Sequence, residues 1–449
     1  MKKSLTLKES IIVGSMLFGM FFGAGNLIFP VHMGQLAGAN VWPAIIGFIL
    51  TGVGIPLLGV ACLGISKKDS LFDLAGLVGD KYRYFLTIVL YLTIGPFFAI
   101  PRCASTSFTI GMLPLINGSE TVPRLIFTFV FFAIVLFFSL RPSGIMKWVG
   151  QYINPIFLIF LVILIVVAFI NPLGDITSYA GDAAYGNGNA FFKGFLEGYG
   201  TMDAIASLAF GITVIRVVRD LGIKNETDVA VNTIKAGAIG CAVMAVIYAL
   251  TTLMGTMSLG KFEVSSNGGV ALSEITQHYF GRFGIYFLLA TVTLACLKTA
   301  LSLVISCSEM FHTMFPNFIS EKTWAIIFTV FSFVVSNFGL DAIITWAVPV
   351  LMFLYPLTIS IILLALFGRF FNYDKKVFVV ATIFNMVAAA FDLIGALPVG
   401  IVPEDFVTTA QMFGNRFFPF YSLGLGWIVP TIIGVVFGLV WSSASKRKV

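Results

Sequence analysis

Charge is scarce in this 449-residue chain: Asp, Glu, Lys and Arg together make up 11% of it, less than half the share usual in soluble proteins. Apolar residues reach 58%, with 47 Phe, and the mean hydropathy is +0.99. A water-soluble fold must coat itself in polar side chains, and 27 Lys and Arg with 21 Asp and Glu cannot cover this much chain. Soluble enzymes and multidomain soluble proteins are thereby excluded, and a polytopic membrane protein remains. The apolar runs also lack the alternation, in segments of roughly ten residues, that marks an outer-membrane barrel. The spans are predicted to be helical, in an all-α fold.

Other absences narrow the function. No GxxxxGK[ST] loop or soluble domain is present, which disfavours ATP-driven pumping. No GxSxG turn, HExxH helix or paired-histidine spacing occurs, so neither an intramembrane hydrolase nor a transition-metal site is supported. His32, His278 and His312 stand alone near span ends. Nothing resembles the selectivity filter or charged ring of a channel. The five cysteines all lie within apolar stretches and read as small reduced residues, not a disulfide framework. The net charge of +6 does not imply nucleic acid, because the basic residues occupy short connections between apolar runs, as expected beside an anionic leaflet. The N-terminal MKKSLTLKES and its apolar sequel imitate a signal peptide. The run continues through GAGN into Pro30 without a small-residue cleavage site, so it is kept as the first span.

Apolar stretches of about 18 residues or more number twelve: 8–37, 40–65, 82–114, 122–140, 143–170, 190–219, 226–259, 284–315, 321–338, 341–369, 376–400 and 421–443. An amphipathic piece at 69–81 is assigned to the membrane interface, and the segments 171–189 and 261–283, rich in Gly, Asn and Ser, to longer loops. With a cytoplasmic N-terminus and alternating spans, twenty Lys and Arg fall on one side. Five (Arg124, Lys193, Lys261, Arg282 and Arg416) fall on the other, while Arg102 and Lys298 lie within spans. The positive-inside rule then predicts both termini in the cytoplasm of a bacterial cell membrane.

Two spans are built differently from the rest. The first contains Gly19, Gly23, Ala24, Gly25, Asn26 and Pro30, and the sixth reads Glu197-Gly198-Tyr199-Gly200-Thr201-Met202-Asp203. Glycines, proline and polar side chains in mid-span make a poor continuous helix, and irregular backbone within a membrane is tolerated only where it lines a buried cavity. Small residues can also serve close helix packing. Paired interruptions in the first and sixth spans, at corresponding positions if spans 1–5 and 6–10 are repeats, point instead to a transporter site at the midplane. A half-helix starting near Asn26 would offer unpaired N–H groups to a carboxylate. Carbonyls around Tyr199 and Gly200 would suit an ammonium group or a cation. With Phe, Leu, Ile and Met as walls, the expected ligand is a zwitterion with an apolar body, in a solute-sized hollow between the breaks.

FGAGNLIFP, GPFFAIPRCAS (Gly95–Ser105), GYGTMDA, LACLKTA and VVSNFGLDAIITWAVPVLMFLYP together resemble the bacterial branched-chain amino acid:cation symporters. This is the BrnQ-type LIVCS family of the amino acid-polyamine-organocation superfamily, and the resemblance spans essentially the whole chain. It implies leucine, isoleucine and valine uptake driven by a Na+ or H+ gradient, with no cofactor beyond the coupling ion. Membrane lipid and the small-molecule substrate are then the partners, with no nucleic acid and no obligatory protein partner. It also implies the five-plus-five inverted repeat of the sodium-coupled leucine transporter: a first repeat over 1–170, a second over 171–370, and two further helices with a basic tail over 371–449. A channel or an exchanger for small amphipathic solutes is the alternative. Carried over residue by residue, Gly23, Ala24, Gly25 and Asn26 become substrate and cation contacts, with Tyr199, Gly200, Thr201 and Asp203 opposite. A second cation site, for Na+, would use Gly19 and Phe22 carbonyls with Ala295, Lys298 and Thr299. Lys298 breaks that pattern by standing where a hydroxyl ligand is expected. An intramembrane lysine costs roughly 2.5–3.5 kcal/mol on insertion scales and is functional by default. Its ammonium is expected to take the place of a sodium ion or to carry a proton through the cycle. Arg102 needs an acceptor, either Asp203, Glu197 or carbonyls freed by a kink at Pro96 and Pro101. Glu197 and Glu309 are further structural or gating candidates, Asp341 is an expected N-cap, and Asp392 is assigned to packing.

Overall fold

The computed structural model describes residues 2–68, 70–141 and 145–446, and among them there is no β-strand beyond an isolated bridge between Lys2 and Ile223. Asp69 of the predicted interfacial piece, the start of the fifth predicted span and Arg447 and Lys448 of the tail lie outside the described residues.

The chain begins with α1 (Leu7–Phe21), capped by a reciprocal Thr6–Glu9 box, and α2 (Ala24–Ala37). Helices α3 (Val41–Ile49) and α4 (Ile55–Ser66) join through a wide turn at Leu50–Gly54. The predicted interfacial piece contains a five-residue helix, α5 (Leu71–Ala75), capped by Ser70. Helices α6 (Asp80–Leu92) and α7 (Ala99–Ser107) meet at Gly95 and Pro96, where a wide turn spans Thr93–Phe97. Pro101 instead sits in the first turn of α7, where its missing N–H costs nothing, so it contributes no second kink. Then come α8 (Thr121–Ser139), α9 (Ile145–Ile170), α10 (Ala190–Glu197), α11 (Asp203–Asp220) and α12 (Glu226–Ser258). The last six are α13 (Gly268–Met314), α14 (Glu321–Ser336), α15 (Leu340–Phe367), α16 (Lys375–Gly395), α17 (Glu404–Phe417) and α18 (Ile428–Lys446).

Each predicted apolar segment overlaps one or more of these helices, but among the described residues eight continuous stretches are long and apolar enough to cross a membrane by themselves. The other four are the first and sixth spans, which are divided, α14, which has only 16 residues, and the fifth, of which Ile156–Ile170 is a shorter apolar helix. Two expectations about loops change. Part of the 261–283 segment is helical: Asn267 Oδ1 accepts from Gly269 and Val270 N–H groups, and the helix continues until Gly281, whose φ of 58° turns the chain. Its glycines and polar residues mask an inward face made by Ala271, Leu272 and Ile275. The amphipathic α17 falls in a stretch assigned to no element. Asp341 is not an N-cap. It lies in the first turn of α15 after Gly339, and its carboxylate accepts from Asn267 Nδ2 at 2.7 Å.

The outer faces are apolar, as at Ile126, Phe129, Val162 and Phe437, each more than half exposed, which suits a lipid environment. Inside, α12 packs against both α1 and α2, α4 against α11, and α13 against α7. Close approach depends on small residues: a Cβ on Gly14 of α1 would lie 2.5 Å from the Ala236 carbonyl of α12. With apolar lipid outside, such packing and interhelical hydrogen bonds hold the bundle together.

Candidate functional site

Both interruptions exist, and each has a local cause. Helix α1 ends at Phe21; Phe22 and Gly23 are extended (Gly23 φ −134°, ψ −160°), and α2 starts at Ala24. In an unbroken helix the Gly23 N–H would bond to the Gly19 carbonyl. Here it donates to Asn26 Oδ1 at 2.8 Å, so Asn26 caps α2 and the Gly19 carbonyl is released. In the sixth span α10 stops at Glu197, a tight turn covers Gly198–Thr201, and Met202 takes a left-handed conformation (φ 64°) before α11 begins at Asp203. Thr201 Oγ1 donates to the Gly198 carbonyl at 2.9 Å and accepts from the Asp203 N–H at 3.3 Å, stitching the break together.

The two breaks are joined by side chains from the half-helix starts. Asn26 Nδ2 donates to Asp203 Oδ2 at 2.6 Å and also to the Tyr248 hydroxyl on α12, which donates in turn to Asp203 Oδ2 at 3.1 Å. Asn26 and Asp203 are each 2% exposed, and Tyr248 is fully buried. Buried polar groups of this kind are tolerated because each has a partner.

Released carbonyls at the other half-helix ends are met by cations of the protein itself. Lys298 Nζ on α13 donates to the Gly19 carbonyl at 3.2 Å. Arg102 on α7 donates through Nη1 to the Gly200 carbonyl at 2.6 Å, and through Nη2 to the Thr201 carbonyl at 3.4 Å. Its guanidinium also lies 5.4 Å from the centre of the Phe29 ring. The acceptors of Arg102 are therefore neither Asp203 nor Glu197, nor carbonyls of its own kinked span, but those of the sixth-span break. The Gly200 carbonyl, expected to suit an ammonium or cation ligand, is met here by Arg102.

Three spaces surround the breaks. At their centre is a hollow of about 40 Å³, lined by Gly23, Ala24, Asn26, Thr201, Asp203, Arg102 and Thr299 together with Met20, Phe21, Ile94, Phe210 and Leu303. That volume admits a few waters but no amino acid, so the solute-sized hollow expected between the breaks is not at the breaks themselves. It lies beside them: a cavity of about 440 Å³ shares Met20, Phe210 and Thr299 with the central hollow and extends past Lys298 to Glu309. On the opposite side a space of about 280 Å³ holds Lys193, Glu197, Tyr199 and Gly200, and Arg102 separates it from the centre.

Among the sequence-predicted residues, Gly23, Ala24, Asn26, Thr201, Asp203 and Thr299 therefore converge on one small, mainly apolar chamber with a few polar groups in its wall. Tyr199 and Gly200 line the 280 Å³ space instead, with the Tyr199 ring stacked 4.0 Å from that of Tyr355. Gly25 backs directly onto Arg102: a Cβ there would be 2.8 Å from Nη2. Thr299 faces Gly23, whose Cβ position is 3.4 Å from Thr299 Oγ1, while that hydroxyl donates to the Ala295 carbonyl within its own helix. Phe22 forms the strand-like link of the first break. Glu197 accepts from the Tyr185 hydroxyl at 3.5 Å. Tyr248 is the residue that sequence reasoning missed, since a lone tyrosine in an apolar run carries no signal of its orientation. Among the described residues no cluster of three or more His, Cys, Asp or Glu could hold a metal ion.

Comparison with known proteins places this geometry. The family model described as "Branched-chain amino acid transport protein" matches residues 6–445. The branched-chain amino acid permease BrnQ of Lactobacillus delbrueckii subsp. lactis is 44% identical over 450 residues, covering 100% of both chains. The permease of the same name from Bacillus subtilis is 40% identical over 443 residues, covering 98% of each. Among solved structures, Mhp1, a nucleobase-cation-symport-1 family transporter in a closed conformation with bromovinylhydantoin bound, aligns with a TM-score of 0.61 at 14% identity, over 97% of this chain and 93% of its own. That likeness establishes the fold, which is the leucine-transporter-like fold implied by the sequence resemblance. With a family match over nearly its whole length and full-length relatives at 40% identity or more, the chain belongs to the branched-chain amino acid transport protein family.

Proposed function

We propose that this protein imports leucine, isoleucine and valine across a bacterial cell membrane as a cation-coupled symporter working by alternating access. The observation that carries the reading is the meeting of two broken helices at the Asn26–Asp203–Tyr248 cluster, between cavities on opposite sides. The permease names of the full-length relatives supply the substrate class. In the orientation given by the Lys and Arg distribution, with both termini cytoplasmic, the 440 Å³ cavity faces the cytoplasm and the 280 Å³ space faces outward. Spans 1, 2, 6 and 7 would then rock against a scaffold formed by the remaining spans of the two repeats, residues 1–170 and 171–370, while the helices of 371–449 pack outside them. The central hollow must widen around the amino acid, and it does so by joining the larger cavity with which it shares Met20, Phe210 and Thr299. Gly23, Ala24, Gly25, Asn26, Thr201 and Asp203 form the substrate chamber. Coupling follows because the same interrupted segments hold substrate and cation, so each ligand raises the affinity for the other.

For the coupling ion, the reading best supported is that the Lys298 ammonium serves at the second cation position, beside the Gly19 carbonyl and Thr299. A donor–carbonyl contact of 3.2 Å at that point is what a cation substitute would make. Radiolabelled leucine uptake into proteoliposomes, under imposed sodium or proton gradients, tests both parts. Saturable accumulation of unaltered leucine against its gradient is expected. Equilibration without accumulation would favour a channel or exchanger, and a requirement for two sodium ions per leucine would remove the role given to Lys298.

A further inference from the structure

The Arg102 guanidinium is a buried cation without a counter-ion. It is 4% exposed, and among the described residues no carboxylate comes within ion-pair distance of it. Asp203 acts on it only through space, because Asp203 Oδ2 is committed to Asn26 and Tyr248. Charges withdrawn from water are normally paired, since carbonyl dipoles alone offset only part of the lost hydration.

The disposition of the donors shows what kind of partner is missing. Nη1 donates to the Gly200 carbonyl at 2.6 Å. The other edge of the group, formed by Nε and Nη2, is nearly open: buried Nε has no acceptor, and Nη2 has only the long 3.4 Å contact to Thr201. That edge is a two-pronged fork of parallel N–H bonds, the arrangement that matches the two oxygens of a carboxylate. Nη2 also lies beside Gly25, in the first turn of α2, where the opening N–H groups of the helix have no intrahelical acceptors and favour an anion. Arg102 and Ala24, the first residue of the 14-residue α2, both line the central hollow, so the two sets of donors stand beside the same space.

We propose that Arg102 binds the α-carboxylate of the substrate through its Nε–Nη2 edge, with the start of α2 completing the subsite. The assignment rests on the amino-acid transport reading and deepens it, because it transfers carboxylate recognition from backbone N–H groups alone to a side chain on a third span. Arg102 is also the residue that divides the central hollow from the 280 Å³ space. The same guanidinium therefore senses the carboxylate and closes that side, while Nη1 keeps the sixth-span break capped. Gly25 is required here because any side chain would displace the fork.

The test compares ligands that differ only at the carboxylate. Uptake of radiolabelled leucine by the full-length protein in proteoliposomes is competed with unlabelled leucine and with leucinamide. A buried charge pair that loses one member typically costs 2–5 kcal/mol, so the wild type is expected to prefer leucine by about thirtyfold to several thousandfold. In Arg102→Gln the preference should collapse to within about threefold, mainly through weaker leucine binding; in Arg102→Lys, which keeps the charge without the fork, it should fall about tenfold. If Arg102→Gln weakens both ligands equally and the preference persists, the residue only caps the break and the proposal is overturned. Should the Gln variant fail to reach the membrane, an unchanged preference in Arg102→Lys overturns it likewise. A wild type that takes up no branched-chain amino acid would instead defeat the transport reading itself, before the variants are compared.

Discussion

Arg102 and Lys298 solve the same problem in different ways. Each reaches across from another span to cap a carbonyl released by a broken one, Gly200 in the sixth span and Gly19 in the first. Arg102 is almost wholly buried, sits between two spaces, makes two carbonyl contacts and keeps one donor edge open. Lys298 is partly exposed along the wall of the largest of the three cavities and makes a single contact at 3.2 Å. A guanidinium stays charged and holds a rigid fork, whereas an ammonium is a point charge on a flexible stem that can release its carbonyl and, when required, its proton. One break is thus held by a buried guanidinium with two carbonyl contacts and the other by a partly exposed ammonium with one. Fixed charge suits recognition of a substrate group, and exchangeable charge suits coupling.

The largest effect should come from jamming the fixed clamp. Gly25→Val places a branched side chain where Arg102 Nη2 is 2.8 Å and Thr201 Cα 3.3 Å from the Cβ position. Uptake should be abolished while membrane insertion is retained, and transport at the wild-type rate would discard the site. Next in size is the link between the two breaks. Asp203→Asn replaces the carboxyl that accepts two hydrogen bonds, each worth about 1 kcal/mol or more, so leucine uptake at subsaturating concentration should drop at least about tenfold. A change smaller than twofold would mean that the breaks work independently. Lys298→Thr should alter ion dependence more than rate: the variant is expected to acquire a sodium requirement in uptake assays with sodium removed and pH varied. If its ion profile matches that of the wild type, the two cations do not differ in the way described. Smallest is Glu309→Gln at the far end of the 440 Å³ cavity. It should shift the apparent KM by no more than about threefold, as a substitution away from the bound substrate does; a larger loss would extend the coupling machinery along α13.

Much of this arrangement is legible before folding. The glycine-rich stretch of the first span and Gly198, Gly200 and Thr201 of the sixth mark places where a helix in lipid is weakest, and the structure breaks at both; in the first the break is confined to Phe22 and Gly23, while Pro30, expected to interrupt the helix, is carried inside α2. Lys298 stood out because an ammonium in mid-span requires a partner. The partner of Arg102 was not legible: its acceptors are 98 and 99 residues away in sequence, and nothing local distinguishes them from other carbonyls or from Asp203. Tyr248 escaped for the same reason, its bond to Asn26 crossing 222 residues. The helical start of α13 was hidden by glycines that normally signal a loop, until Asn267 capped it and Leu272 and Ile275 found the core.

Composition and local pattern by themselves determined the solvent of this protein, its helical class and the places where two helices must part, because hydration, propensity and backbone satisfaction act within a few residues. Which cation caps which released carbonyl, which edge of a guanidinium stays open and how the space around the breaks divides were decided only by tertiary structure. Those features depend on the rotation and tilt of packed helices, which are set by contacts between segments far apart in the chain.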